Sequence, residues 1–249
     1  TFTDAGTILA RPSLAETRPC GVRWCGKVER RTDWMTTLRP LSEVLTEDWG
    51  TSEASGHGRA PLAALIDHLT EASEPLAFQV LFQRKPDWSR RARRRSGDLL
   101  AGKDTLTQKF LSIESTPQRT SPSMRDREKD RESVTRLDLV RENTPKRTFT
   151  VNVRAIGLPT DERAVATLDS RLDTLCPALD RIDGPYYEIE GQRLREGAGR
   201  LLSRNRSSAD PRAEFERLRT RTLVTRRSRW LPNPTNRPDI RPDLVLNAD

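Results

Sequence analysis

The sequence predicts an α+β fold, a ferredoxin-like β-α-β-β-α-β sandwich with a long charged insertion between its second and third strands. Three observations predict it. Residues 147–190 run strand, turn, helix, turn, strand without a gap, and residues 20–84 repeat the strand-helix-strand order. Between them, Gln118 to Thr144 alternates signs in Arg125-Asp126-Arg127-Glu128-Lys129-Asp130-Arg131-Glu132 with hardly an apolar residue, the pattern of a solvated helix or a disordered linker. Two such halves place two helices on one face of a four-stranded antiparallel sheet.

In the first half, a short strand is expected at Thr7 to Ala10. Val22, Trp24, Gly26 and Val28 then alternate with Arg23, Cys25 and Lys27, the two-residue period of a strand over 20–29. Asp33 to Gly50, with Trp34, Leu38, Leu41, Leu45 and Trp49, reads as a short helix or extended cover, and Thr51 to Gly58 as a Gly/Ser loop. Pro61 stands where proline is tolerated at a helix start, and Leu62, Leu65, Ile66 and Leu69 follow at helical spacing, giving a helix over 60–73. Leu76 to Phe82 is almost wholly apolar and reads as a central strand, 76–84, buried on most of both faces. Pro86 to Leu100 reads as a basic helix anchored by Trp88.

In the second half, Phe149, Val151, Val153 and Ala155 alternate with Thr150, Asn152 and Arg154, a strand over 147–158 with one face buried. Val165, Leu168, Leu172, Leu175, Leu179 and Ile182 form one stripe of a helix over 160–182. Thr160 is its expected N-cap, with Asp161 and Glu162 in the first turn where the dipole favours negative charge. Pro177 removes one helical hydrogen bond at about 3 kcal/mol, so the helix is expected to bend near Asp173 and run on. Asp183-Gly184-Pro185 stops it, and Tyr187 and Ile189 mark a strand over 185–190. Arg193 to Arg206 reads as a basic loop, Asp210-Pro211 as the start of a short helix carrying Phe215 and Leu218, and Arg226 to Asn247 as an extended tail.

The chain therefore divides into 1–85, the insertion 86–146, 147–192, and a basic segment and linker 193–249. Stretching a hairpin to about sixty residues costs on the order of 2 to 3 kcal/mol of loop closure, so the topology tolerates the insertion. With 32% charged residues and a net charge of +8 over 249 residues, a modest core beside long solvated segments is expected. No run approaches the ~18 apolar residues of a membrane span and no secretory h-region opens the chain, so the sequence reads as cytoplasmic. Three cysteines, Cys20, Cys25 and Cys176, argue against a disulfide framework. The chain opens on Thr1 instead of Met and reads as a piece of a longer protein.

The charge is uneven. Twelve arginines from Arg193 to Arg229 face only Glu196, Asp210, Glu214 and Glu216, and Arg84, Lys85, Arg90, Arg91, Arg93, Arg94 and Arg95 face only Asp87. Such patches meet phosphate backbones or anionic membrane surfaces, or are simply a solvated surface. The candidate nucleic-acid-binding residues are Arg90, Arg91, Arg93, Arg94, Arg95, Arg226, Arg227 and Arg229. Trp88, Tyr186 and Trp230 are candidate rings for base stacking, or else core and cover.

Gly97-Asp98-Leu99-Leu100-Ala101-Gly102-Lys103-Asp104 nearly spells a phosphate-binding loop, but Asp104 stands where magnesium needs a hydroxyl and no buried strand precedes it. Cys20, Cys25, His57 and His68 match no tight zinc spacing. Two histidines and no G-x-S-x-G leave a Ser/His/Asp site without members. No catalytic residue, metal or cofactor is expected, and an enzyme reading would need a cleft of convergent polar groups.

Several segments together resemble the N-terminal region of conjugative-transfer-type (type IV secretion) ATPases of the HerA/FtsK superfamily, in particular archaeal forms. They are Gly21-Val22-Arg23-Trp24, Asp33-Trp34 with Thr37-Leu38, Phe78-Gln79-Val80-Leu81, Lys85-Pro86-Asp87-Trp88, and Arg147-Thr148-Phe149-Thr150-Val151-Asn152-Val153-Arg154-Ala155. Arg237-Pro238-Asp239-Ile240 to Asn247-Ala248-Asp249 looks like the approach to the motor domain. The resemblance implies a non-catalytic assembly or docking domain of a DNA-transfer ATPase, with hydrolysis done by a P-loop domain outside this sequence. It implies protein partners in a transfer apparatus or self-association, DNA within reach, no membrane span, and a cytoplasmic place or a membrane-associated one through partners. No family functional residue maps onto this chain, and its basic balance departs from the acidic surfaces of salt-adapted relatives. The alternative, from the residues alone, is an autonomous nucleic-acid-binding protein using the arginine clusters.

Overall fold

Two arginine-bearing strands take the centre of the sheet. In the computed structural model, which describes residues 18–39, 61–103, 124–194, 210–225 and 239–247, β1 (Cys20–Val28) and β3 (Thr148–Gly157) lie side by side. β2 (Leu76–Arg84) flanks β3 and β4 (Tyr187–Leu194) flanks β1, all antiparallel, in the order β2-β3-β1-β4. That is the expected α+β class with ferredoxin-like strand order. Five α-helices join them among the described residues: α1 (Pro61–Thr70), α2 (Ser89–Leu100), α3 (Met124–Glu142), α4 (Glu162–Leu175) and α5 (Pro211–Arg219).

One face is apolar by alternation. Val22, Trp24, Val151, Val153, Ala155 and Ile189 pack against Leu65 of α1 and Leu168, Leu172 and Leu175 of α4, each large side chain contributing about 1.5–3 kcal/mol. Asp161, not Thr160, caps α4, its Oδ1 accepting the Ala164 N–H at 2.8 Å. The helix ends at Leu175 instead of bending onward, and a 3-10 turn (Cys176–Ile182) carries Pro177 in its first turn, where the missing N–H is harmless. Trp24 donates its indole N–H to the Cys176 carbonyl at 3.1 Å. Gly191 makes room for this turn, since a Cβ there would collide with the same carbonyl.

The other face, where no helix was expected, is covered too. Phe215 and Leu218 of α5 pack on Ile156, Leu158 and Leu194, and the fully buried Glu214 receives Arg23 at 3.1 Å and Arg154 at 3.2 Å. Arg23 and Arg154 are direct cross-strand neighbours, a placement that repels without a shared carboxylate. Glu214 supplies it, and both faces of β1 and β3 are dry. β2, by contrast, is the edge strand and not a central one, with Val80 and Phe82 exposed. Its apolar run signals a strand but carries no information about position.

Three further expectations change. Arg193 and Leu194 belong to β4, not to a loop. The second half of α3 is not solvated, for Arg136, Leu137 and Val140 are buried. Part of the expected extended tail enters the sheet: β1 and β3 pair only as far as Trp24 and Val153, and where they part β5 (Asp239–Arg241) pairs with β1 and β6 (Leu244–Asn247) with β3. Asn152 holds this junction, donating to the carbonyls of Val224 at 2.9 Å and Pro242 at 3.4 Å. The expected strand at 7–10, the cover and loop within 40–58, and the basic stretches 195–206 and 226–238 lie outside the described residues.

Replacing Glu214 by Gln removes the charge shared by Arg23 and Arg154. A loss of about 3–5 kcal/mol is expected, read as a lower urea midpoint at unchanged slope. A pH effect comes from Asp183, which accepts the Ile189 N–H at 2.6 Å. Burial pushes its carboxyl up from 3.8 to about 6, against the pull of that N–H and with help from Asp180 and Glu188. A raised carboxyl favours the protonated fold, so this stabilisation is complete below 3.8 and lost as pH rises through about 6. Asp183→Asn should match the wild type at the acid end and exceed it above neutrality by about 1 kcal/mol, after discounting for partial exposure, in urea melts across pH.

Candidate nucleic-acid interface

Trp88, Ala92, Arg95 and Leu99 recur at spacings of four and three, and all four are buried, which sets the rotation of α2. Trp88 donates its indole N–H to Thr148 Oγ1 at 2.9 Å and meets Trp34 edge-on with centroids 5.2 Å apart. Lys85 Nζ lies 4.7 Å from the centre of the Trp34 ring. Burial lowers the Lys85 pKa, and the nearby Arg241 and Arg91 add to the drop against the pull of Asp243.

Arg95 is held by Asp33, which sits buried in a 3-10 turn (Asp33–Met35) just after β1. Asp33 Oδ2 accepts the Arg30 backbone N–H at 2.9 Å and Nε of Arg136 at 3.4 Å, while Arg95 Nη2 stands 3.6 Å from Oδ1. Arg136, fully buried on α3, also pairs with Glu132 at 3.0 Å and with Glu29, and its guanidinium lies 3.8 Å over the Tyr186 ring. Burial pushes the Asp33 carboxyl up and the Arg95 guanidinium down to about 10, one desolvation acting on both partners.

With that phase set, Arg90, Arg91, Arg93 and Arg94 all point outward and are exposed. They occupy the first two turns of α2, the positive end of its dipole, where a cation costs about 0.3–1 kcal/mol. They also stand three and four residues apart, where like charges repel. None of the four forms an ion pair with a described carboxylate. Asp87, held below its usual range by the Ser89 hydroxyl and N–H, is the nearby acid that interacts with Arg93. Where β2 runs into α2, Arg84, Lys85 and Lys146 line a shallow cavity of about 380 Å³ with Pro86 and Asp87. The exposed Arg147 follows Lys146.

The structure therefore brings four of the expected site residues together and turns Arg95 inward, while Arg226, Arg227 and Arg229 lie outside the described residues. Of the expected stacking rings, Trp88 is buried in the core, Tyr186 lies under Arg136, and Trp230 is outside the described residues. Lys146 and Arg147 joined no cluster in the sequence. Strand register adds Lys146, since Arg84 pairs with Phe149 and its Nη2 donates to the Lys146 carbonyl at 3.5 Å.

The near phosphate-loop motif starts inside α2, with Gly97 to Leu100 helical and no strand leading into it. Burial pushes the Cys20 and Cys25 thiols up to about 11, which keeps both protonated and poor nucleophiles. A second cavity, of about 820 Å³ between α4 and the end of β4, contains Arg193 already paired with Asp169 and with Asp173. Among the described residues no cluster of His, Cys, Asp or Glu could hold a metal ion, and no helix is long and apolar enough to cross a membrane. No family model, curated protein or solved structure matches this chain.

Asp33→Asn removes the charge that Arg95 and Arg136 share. Because burial already raises the Asp33 carboxyl, desolvation offsets most of what its pairs contribute, and a net loss of no more than about 1 kcal/mol is expected, with hydrogen-exchange protection falling first in α2 and α3 and last in β1 and β3.

Proposed function

We propose that the chain is a non-catalytic module that binds the phosphodiester backbone of a nucleic acid through Arg90, Arg91, Arg93 and Arg94, continued by Arg84, Lys146 and Arg147. One observation carries the reading. Four exposed arginines crowd the positive end of one helix, against its dipole and against each other, with no described carboxylate paired to them. Such a placement weakens the helix in isolation, and a polyanion lying across it relieves the repulsion. Backbone contact of this kind positions a nucleic acid without reading its sequence.

Fluorescence titration with labelled single- and double-stranded oligonucleotides at several salt concentrations tests it. Neutralising six or more phosphates gives a log-log slope of about −5 on duplex. The double variant Arg90→Glu, Arg94→Glu should cut that slope by about 2 units. Glutamate at these positions suits the helix dipole, so weaker binding would not reflect a lost helix. Undetectable binding at low salt removes the reading.

A second reading, an assembly domain of a conjugation-type DNA-transfer ATPase, has its own support. The segments that carry the resemblance lie together: Gly21–Trp24, Phe78–Leu81 and Thr148–Ala155 occupy the adjacent strands β1, β2 and β3, and Trp34 packs on Trp88. Under it the basic face guides DNA toward a motor. The reading frame beyond Asp249 tests this directly: a phosphate-loop motif after a hydrophobic strand is expected, and a stop codon there would sink it.

A further inference from the structure

β2 ends the sheet, and its ladder with β3 determines which backbone groups face outward. The Lys85 N–H donates to the Thr148 carbonyl and the Leu158 N–H to the Pro75 carbonyl, both at 2.9 Å. Odd-numbered residues of β2 therefore face β3, and the N–H and C=O groups of Leu76, Phe78, Val80, Phe82 and Arg84 face the open edge. No described strand lies beyond them. The side chains of these five residues lie on the face that α1 and α4 cover elsewhere. Cover stops short at the end of the strand, where Val80 is 46% exposed and Phe82 71%. Native edges are usually blunted by a charge, a proline or a bulge, and from Leu76 to Gln83 this one has none of these.

Charge selects the occupant. The strand is entered from Glu71 and Glu74 and left through Arg84 and Lys85, so its two ends are opposite in sign and an antiparallel copy of itself is complementary. A two-fold axis at Val80 sets Arg84 of one copy opposite Leu76 of the other and diagonal to Glu74, whose Oε2 is buried without a hydrogen bond. The same axis sets Val80 against Val80 and Phe82 against Phe78 on one face of the joined sheet, covering both exposed side chains. A parallel copy would place acid beside acid and base beside base.

We propose that a second copy of this chain pairs antiparallel along β2, centred on Val80, to form a two-fold dimer with one sheet running through both copies. The outward groups of five residues on each side supply the ladder, an isologous interface of the commonest symmetry. The proposal shares only Arg84 with the basic face, and Val80 and Phe82, which test it, lie outside that face.

Light scattering on the full chain over a range of concentrations tests it. A dimer mass is expected for the wild type and a monomer for Val80→Lys, which sets two cations against each other on the axis. Phe82→Ala should raise the dissociation constant at least about tenfold. Both positions are exposed, so the fold should survive, and circular dichroism checks this. If Val80→Lys does not fold, Val80→Cys decides. Residues paired across the axis lie about 5.5 Å apart at Cα, within disulfide reach, so mild oxidation should give a covalent dimer that oxidised wild type does not. A wild type that stays monomeric at every concentration overturns the proposal, including one whose β2 becomes protected only when a foreign strand peptide is added. So does a dimer that Val80→Lys leaves intact, or a folded Val80→Cys that does not cross-link.

Discussion

A single buried carboxylate, Asp33, sets the placement of the charged insertion. An unpaired charge cannot be buried at tolerable cost, and three positive side chains converge near this turn: Arg30, Arg95 and Arg136. Arg95 comes from α2 and Arg136 from α3, so one acid at the end of β1 ties both helices of the segment to the sheet, beside the apolar contacts of Trp88, Ala92 and Val140. Desolvation offsets much of what such pairs contribute. Their effect is therefore mainly one of orientation, and the buried row Trp88, Ala92, Arg95 and Leu99 turns the remaining arginines of α2 toward solvent.

The same device closes the other side of the sheet. Glu214 neutralises Arg23 and Arg154, which allows two strands with charged faces to occupy the centre while the more apolar β2 takes the edge. Hydrophobic content alone would order them the other way. The consequence is two adjacent surfaces of different character, an apolar open edge and a basic helical face. Both adjoin at Arg84, because only residues 85–88 separate β2 from α2.

The elements themselves were legible along the chain. Alternation of Val22, Trp24 and Val28 with Arg23, Cys25 and Lys27, and of Phe149 to Ala155 with its polar neighbours, marks β1 and β3 to within a residue or two. Stripes at three and four mark α1 and α4, because periodicity follows directly from backbone geometry. The basic character of α2 was likewise written in the order of residues, though not that Arg95 alone of its five arginines turns inward. What misled was the reading of charge as exposure. Arg95, Arg136, Arg23, Arg154 and Glu214 look like surface residues until a distant partner is known, and the buried pairs Arg95–Asp33, Arg136–Asp33, Arg23–Glu214 and Arg154–Glu214 join residues 60 to 191 positions apart.

The sequence by itself determined the order of β1 to β4 with α1 and α4, the α+β class, and the presence of an arginine-rich helix, since all of these depend on neighbours within a few residues. Tertiary structure decided which strands are central, which arginines are buried, how Lys146 joins the basic face, and where the segment after Pro238 inserts between β1 and β3. The physical reason is that a local pattern fixes the conformation of a residue, whereas burial of a charge depends on the one complementary group that the fold brings to it.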